Sequence, residues 1–290
     1  MKKEKSIISH IWLILASILC LIPFIVVVSV SLTDEATLNE FGYSIFPKTF
    51  SLDAYKYIFL DPEPIIRSYG VTIASTVVGT VLAVLVMSFL AYPLSRQDFK
   101  FKSVVSFYVF FTMLFSGGLV PSYMLITQYL HLKDNFWVLV LPGLVTPFHV
   151  ILFRTFFQQL PGELFDAAKI DGCSDVRMIF QVVLPLSKPV FATVALLGAL
   201  TRWNDWYTCL LYINDENLIT LQYQLQRIMK NVELIKTQMS NMPMQMMNVD
   251  VPTESVRMAL AVVVSGPMIL VFPFFQKYFA KGLTVGSVKG

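Results

Sequence analysis

Apolar runs of about twenty residues constrain this 290-residue chain more than any other feature of it. They fall at 11–31, 69–91, 104–127, 136–157, 188–211 and 256–280. A helix of about twenty residues spans the roughly 30 Å hydrocarbon layer of a bilayer. Inside that layer no water is present to bond backbone N–H and C=O groups, so a crossing segment satisfies them itself, as helix or within a closed barrel. Barrel strands alternate apolar and polar residues, whereas these runs are continuous. The expectation is an all-α, polytopic membrane protein with about six transmembrane helices, organised as a single transmembrane domain over 1–290. Composition agrees. Hydrophobic residues make up 56% of the chain and charged residues 14%, against roughly a quarter charged in a soluble domain.

The first run follows Lys2, Lys3 and Lys5, as a signal peptide would. It is longer than a signal peptide's apolar region, however, and no A-x-A site follows it, so it is expected to remain as an anchor. Orientation follows from the basic residues. With the N-terminus inside, Lys2, Lys3 and Lys5, then Arg96, Lys100 and Lys102, then Arg154, Lys169, Arg177 and Lys188, and finally Lys277, Lys281 and Lys289 all fall on the inner side. Two longer segments, 32–68 and 212–255, are then extracellular, and both termini and the segment 160–187 are cytoplasmic.

Segment 160–187 is the polar interruption in this pattern. Glu163, Asp166 and Lys169 lie on one side of a short helical stretch, with Leu164, Phe165, Ala167 and Ala168 on the other. Asp166 and Lys169 are spaced to pair. Gly172 suits the stop of that helix because glycine takes positive φ at little cost. Ser174 or Asp175 is placed to cap a second helix, whose apolar face is expected from Val176, Ile179, Phe180 and Val183. Two short helices about a tight turn, hung between membrane spans, have the form of an element that lies in a groove on another protein.

The same residues resemble the EAA loop of ABC importer permeases. That pattern reads Glu-Ala-Ala, a short gap, Asp-Gly, then a later proline; here it is Asp166-Ala167-Ala168, Asp171-Gly172 and Leu184-Pro185. Asp166 stands where the pattern has Glu, keeping the charge and shortening its reach. A second resemblance covers the end of the chain. Residues 272–290, FPFFQKYFAKGLTVGSVKG, together with Trp203-Asn204-Asp205, are similar to oligosaccharide permeases of the LplC/YtcP type, in the carbohydrate-uptake, maltose-type branch common in Gram-positive bacteria. The resemblance implies a type I ABC importer permease fold with cytoplasmic EAA coupling helices. It implies a plasma-membrane subunit forming a heterodimer with a sibling permease and served by two ATPase subunits and an extracellular solute-binding lipoprotein. Coupling would then rest on Glu163, Asp166, Ala167, Ala168, Asp171, Gly172 and Pro185.

Within the fifth run, Arg202, Asn204 and Asp205 are flanked by Trp203 and Trp206. A charge in the bilayer is costly and faces a cavity, a partner helix or another charge. Arg202 and Asp205, three apart, are spaced to pair on one helix face. Two readings stand side by side: a sugar path lined by Arg202, Trp203, Asn204, Asp205 and Trp206, or an intramembrane ion pair with tryptophans at the interface. In the segment 212–255, Leu218, Leu221, Leu225, Ile228 and Met229 form an apolar helical stripe followed by a methionine-rich stretch, 239–247, read as a surface for the binding protein.

Other chemistries find no support. The chain has no G-x-x-x-x-G-K-[ST] string, so it is not expected to bind nucleotide or to be an enzyme, and the resemblance implies that ATP hydrolysis is carried by a separate subunit. Cys20, Cys173 and Cys209 and the three histidines share no ligand spacing, so no metal or cofactor is expected. The net charge of +3 follows from the sidedness of the loops and gives no reason to expect nucleic acid. The alternatives are a permease for a non-sugar solute such as a polyamine or phosphonate, and a secondary transporter. The latter is disfavoured because carboxylates are nearly absent from the spans apart from Asp205.

Overall fold

The structure, a computed structural model, describes the backbone of residues 2–240 and 253–284 and the side chains of 10–234, 237 and 253–274. The described residues form helices and turns, with a single isolated antiparallel bridge between Thr33 and Phe50. In chain order the helices are α1 (Lys2–Ser31), α2 (Glu35–Phe41), α3 (Asp53–Ile58), α4 (Pro62–Ser95), α5 (Lys102–Leu114), α6 (Leu119–Met124), α7 (Pro147–Phe157) and α8 (Gly162–Ile170). Then come α9 (Asp175–Met178), α10 (Leu184–Leu186), α11 (Lys188–Trp203), α12 (Tyr207–Tyr212), α13 (Leu221–Ser240) and α14 (Glu254–Thr284).

Two compact units result, 1–66 with 224–267 and 67–223 with 268–290. In the first, Asp34 caps α2 by accepting from the Thr37 N–H at 3.3 Å. Glu35, the first residue of α2 and 7% exposed, turns its carboxylate to the start of α14. Its carboxylate accepts from Thr253 Oγ1 at 2.9 Å, the Glu254 and Ser255 N–H groups at 3.0 Å each, and Ser255 Oγ at 2.6 Å. An acid at a helix N-terminus satisfies free amides and complements the dipole. Burial pushes its carboxyl pKa up, but the hydrogen bonds from Ser255, Glu254 and Thr253 outweigh that and hold it below the ordinary 4.5. Of the expected apolar stripe, Leu221, Leu225, Ile228 and Met229 lie on α13, whereas Leu218 ends a separate 3-10 turn, Glu216–Leu218. The methionine-rich stretch 239–247 lies outside the described side chains, as does most of the C-terminal signature 272–290.

The second unit is organised by α4. Its buried face runs Ser68, Thr72, Ser75, Thr76, Thr80, Ala83, Met87, Ala91, Leu94. Small and hydroxyl-bearing residues at this helical spacing let neighbouring backbones approach closely, which is how helices associate in a medium as apolar as their own side chains. Beyond Thr80 the face becomes a hydrophobic cluster with Phe153 and Phe157 of α7 and Val190 and Val194 of α11. Phe191 lies 4.8 Å from the Phe153 ring and 6.1 Å from that of Phe157.

Three of the predicted spans are continuous apolar helices: His10–Ser31, Pro62–Ser95 and Glu254–Phe274. The other three are interrupted. Run 104–127 is two helical pieces bent by 114°, broken at Phe115–Gly118 where Gly118 has φ +86°. Run 136–157 is a 3-10 turn, Phe136–Leu139, then irregular chain containing Pro142 and Gly143, then α7. Run 188–211 stops at Asn204, and a new helix starts after Trp206, with Asp205 accepting from the Thr208 N–H at 3.0 Å. Hydropathy does not register the first two breaks, because glycine and proline punctuate a helix without making the run polar, whereas the third falls at the polar pair Asn204-Asp205.

Candidate functional site

Two places on the second unit gather the functional residues. The first is the segment 160–187. Pro161 precedes α8, and Glu163 lies in its first turn, favourable to the helix dipole. Phe165, 1% exposed, is the anchor. Its ring lies 6.3 Å from that of Tyr92, and the Arg96 guanidinium lies 4.2 Å above it. The expected Asp166–Lys169 pair is replaced by one that ties α8 to the loop after α4: Lys169 Nζ reaches Asp98 at 3.1 Å, and Arg96 lies 3.9 Å from the same carboxylate. That hydrogen bond from Lys169 is the leading cause holding the Asp98 carboxyl below its ordinary value. Opposite the anchor, Leu164, Ala167 and Ile170 form an exposed apolar edge three residues apart, with Ile170 86% exposed.

The turn matches its sequence. Gly172 has φ +74°, the Cys173 N–H bonds Ala168 O at 2.9 Å and the Gly172 N–H bonds Lys169 O at 3.0 Å. These 6→1 and 5→2 bonds are the Schellman closure of a helix. Ser174, rather than Asp175, caps α9 by accepting from the Arg177 N–H. The second helix departs from expectation because Ile179–Val183 is a π-turn. The wider turn shifts the buried face to Met178, Ile179 and Val183 and leaves Val176 and Phe180 exposed. Glu163, Asp166, Ala167, Asp171, Gly172 and Pro185 are all exposed, and Ala168 is half-buried.

The second place is a cavity of about 360 Å³ beside the break between α11 and α12. Arg202 and Asp205 line it but do not pair. The Arg202 guanidinium donates to the carbonyls of Leu139 at 3.3 Å, Val140 at 3.2 Å and Gly143 at 2.7 Å. Irregular backbone leaves carbonyls without helical partners, and this one side chain bonds three of them. Gly79 of α4 makes room for it: a Cβ there would sit 2.6 Å from Nη1 and 2.7 Å from Cζ. Trp203 is buried, 6.5 Å from the Tyr69 ring. Asn204 donates to Leu200 O at 2.8 Å and accepts from Gln222 Nε2 at 2.9 Å. Trp206 is exposed, against Tyr207. Neither Trp203, Asn204 nor Trp206 lines the cavity.

Sequence reasoning missed Gly79, His149 and Asp98. An isolated glycine inside a long helical run carries a helix-propensity cost and is the one signal that points to Gly79. His149 and Asp98 carry none, because their partners and surroundings are remote in sequence.

Residues 75–285 match the family described as binding-protein-dependent transport system inner membrane component. Protein LplC of Bacillus subtilis (strain 168) is 43% identical, over 93% of this chain and 90% of its own. The polygalacturonan/rhamnogalacturonan transport system permease protein YtcP of the same organism is 39% identical, over 96% of both. Among solved structures, a bacterial ABC transporter involved in the import of the acidic polysaccharide alginate superimposes with a TM-score of 0.80 at 28% identity, covering 96% of this chain and 97% of that one.

Proposed function

We propose a specific role from the premise that this chain belongs to the family of binding-protein-dependent transport system inner membrane components: it is the permease subunit of an ATP-driven importer of oligosaccharides. It sits in a bacterial plasma membrane as a single transmembrane domain of about six spans, both termini cytoplasmic, paired with a sibling permease. Two ATPase subunits engage the permeases from inside, and a solute-binding lipoprotein delivers sugar from outside. The names of the similar permeases, which include polygalacturonan and rhamnogalacturonan transport, support carbohydrate as the cargo.

The observation that carries the reading is the two-sided construction of α8. One side is fixed to the end of α4 by Phe165 and the Lys169–Asp98 pair, and the other presents Leu164, Ala167 and Ile170. A helix held this way transmits the push of a partner to a long helix instead of absorbing it. Closure of the ATPase dimer would bias the permease between inward-open and outward-open states, the differential contact being made at α8. Glu163, Asp166, Ala167, Ala168, Asp171, Gly172 and Pro185 are assigned to this coupling. The sugar path is assigned to the stretch from Arg202 to Trp206, with Asp205 facing the cavity and Arg202 forming its wall.

The test is uptake by vesicles that hold both permeases and the ATPase pair, with the binding protein added outside. Oligosaccharide entry is expected to require ATP on the ATPase side and the binding protein on the other. Entry driven by an ion gradient without ATP would overturn the importer reading. ATP-dependent entry of an amine or phosphonate but of no sugar would overturn the cargo.

A further inference from the structure

His149 carries no assigned role. It is 7% exposed, on α7, and lines the cavity beside Arg202. Its imidazole makes no hydrogen bond within the described residues; its ring contact is with Phe148. Three more unused groups belong to residues lining the same space. Asp205 spends Oδ1 on the Thr208 N–H, and its Oδ2 accepts nothing from the described residues. The hydroxyls of Thr146 and Thr208, also lining residues, have no partner among them. The one strong cation, Arg202, is committed to three carbonyls.

We propose that His149, Asp205, Thr146 and Thr208 form a subsite that reads the hydroxyl groups of a sugar ring as it crosses the membrane. This rests on the carbohydrate reading above. The chemistry fits a polyol: neutral imidazole has one donor and one acceptor, a carboxylate oxygen accepts, and each hydroxyl does both. Such groups match an alternation of O–H donors and oxygen acceptors around a ring. The cavity volume is at the small end of the range of about 300–1,000 Å³ usual for small-molecule sites, which suits one ring at a time rather than a whole chain. His149 is then a specificity-determining residue, and the subsite is assembled from Thr146 and His149 at the start of α7 and from Asp205 and Thr208 at the α11–α12 break, without Trp203 or Asn204.

The experiment uses vesicles with the full complex and saturating binding protein, and measures maximal uptake of maltotriose, galactotriose and trigalacturonate. A subsite changes the ratio of rates between sugars, whereas a merely structural residue lowers all of them together. His149→Phe, which keeps a ring and removes the hydrogen bonds, is expected to change at least one ratio by roughly two- to tenfold, the worth of one such bond. His149→Gln, with a donor and an acceptor, is expected to restore much of it. Thr208→Val removes a hydroxyl at constant shape and tests the same subsite independently. Unchanged ratios in both His149→Phe and Thr208→Val overturn the subsite, as does an equal loss for every sugar. Loss of assembly in His149→Phe together with unchanged ratios in Thr208→Val also overturns it. Wild-type vesicles that move no oligosaccharide overturn the carbohydrate reading and the subsite with it, so the two failures are told apart by the wild type.

Discussion

Gly79→Ala is expected to weaken the complex through a residue 123 positions away in sequence, Arg202. The added Cβ would lie 2.6–2.8 Å from three guanidinium atoms, closer than a methyl group tolerates. The guanidinium is the far end of a flexible side chain, so it moves, and in moving it gives up bonds to the carbonyls of Leu139, Val140 and Gly143. Hydrogen bonds between helices in a membrane are worth about 0.6 kcal/mol on average and about 1.7 at most. Losing all three, as in Arg202→Met, should therefore cost about 2–5 kcal/mol. Gly79→Ala should cost less, about 1–2 kcal/mol, because the tip keeps some bonds and alanine improves helix propensity by about 1 kcal/mol. The decisive measurement is a double-mutant cycle on the thermal inactivation midpoint of the detergent-purified complex. In an Arg202→Met background, Gly79→Ala should cost nothing or stabilise slightly. An equal penalty in both backgrounds would refute the claim that Gly79 is glycine on account of Arg202.

At Gly172, a Cβ meets no atom within 4 Å, so the penalty of Gly172→Val is backbone strain at φ +74°, on the order of 1–3 kcal/mol. Membrane insertion should be normal and sugar-stimulated ATP hydrolysis lost; full transport would show that the turn is not part of the lever. Ile170→Asp, on the exposed edge of α8, should reduce co-purification of the ATPase without lowering the yield of the permease pair, and wild-type stoichiometry would place the docking edge elsewhere. Glu35 sets a pH dependence for the unit that holds α2 and the start of α14. Its folded-state pKa lies below the ordinary 4.5, so its stabilisation is complete above that value and is lost as pH falls through the folded pKa. Glu35→Gln should lower thermal stability at pH 7 and flatten the acid limb of the stability profile, and an unaltered acid limb would assign that limb to other carboxylates.

The sequence by itself determined that this chain lives in a bilayer, because runs of apolar residues that long leave helix as the way to satisfy the backbone. It also determined the turn at Gly172. Asp171-Gly172-Cys173 closes α8 through local bonds, and Ser174 caps the next helix three residues away, so every partner lies within one turn. Where the partner is remote, spacing points only to the nearest opposite charge, and the structure differs. Lys169 bonds Asp98 instead of Asp166, and Arg202 bonds the 139–143 carbonyls instead of Asp205. Spacing within a helix reports only which side chains are able to meet. Tertiary structure decides which meetings satisfy the most otherwise unbonded groups, and a broken span offers the Arg202 guanidinium three carbonyls at once. The breaks themselves, the π-turn that rotates the face of α9, and the gathering of His149, Thr146, Asp205 and Thr208 around one cavity belong to that same level, since each depends on chain segments brought together only by packing.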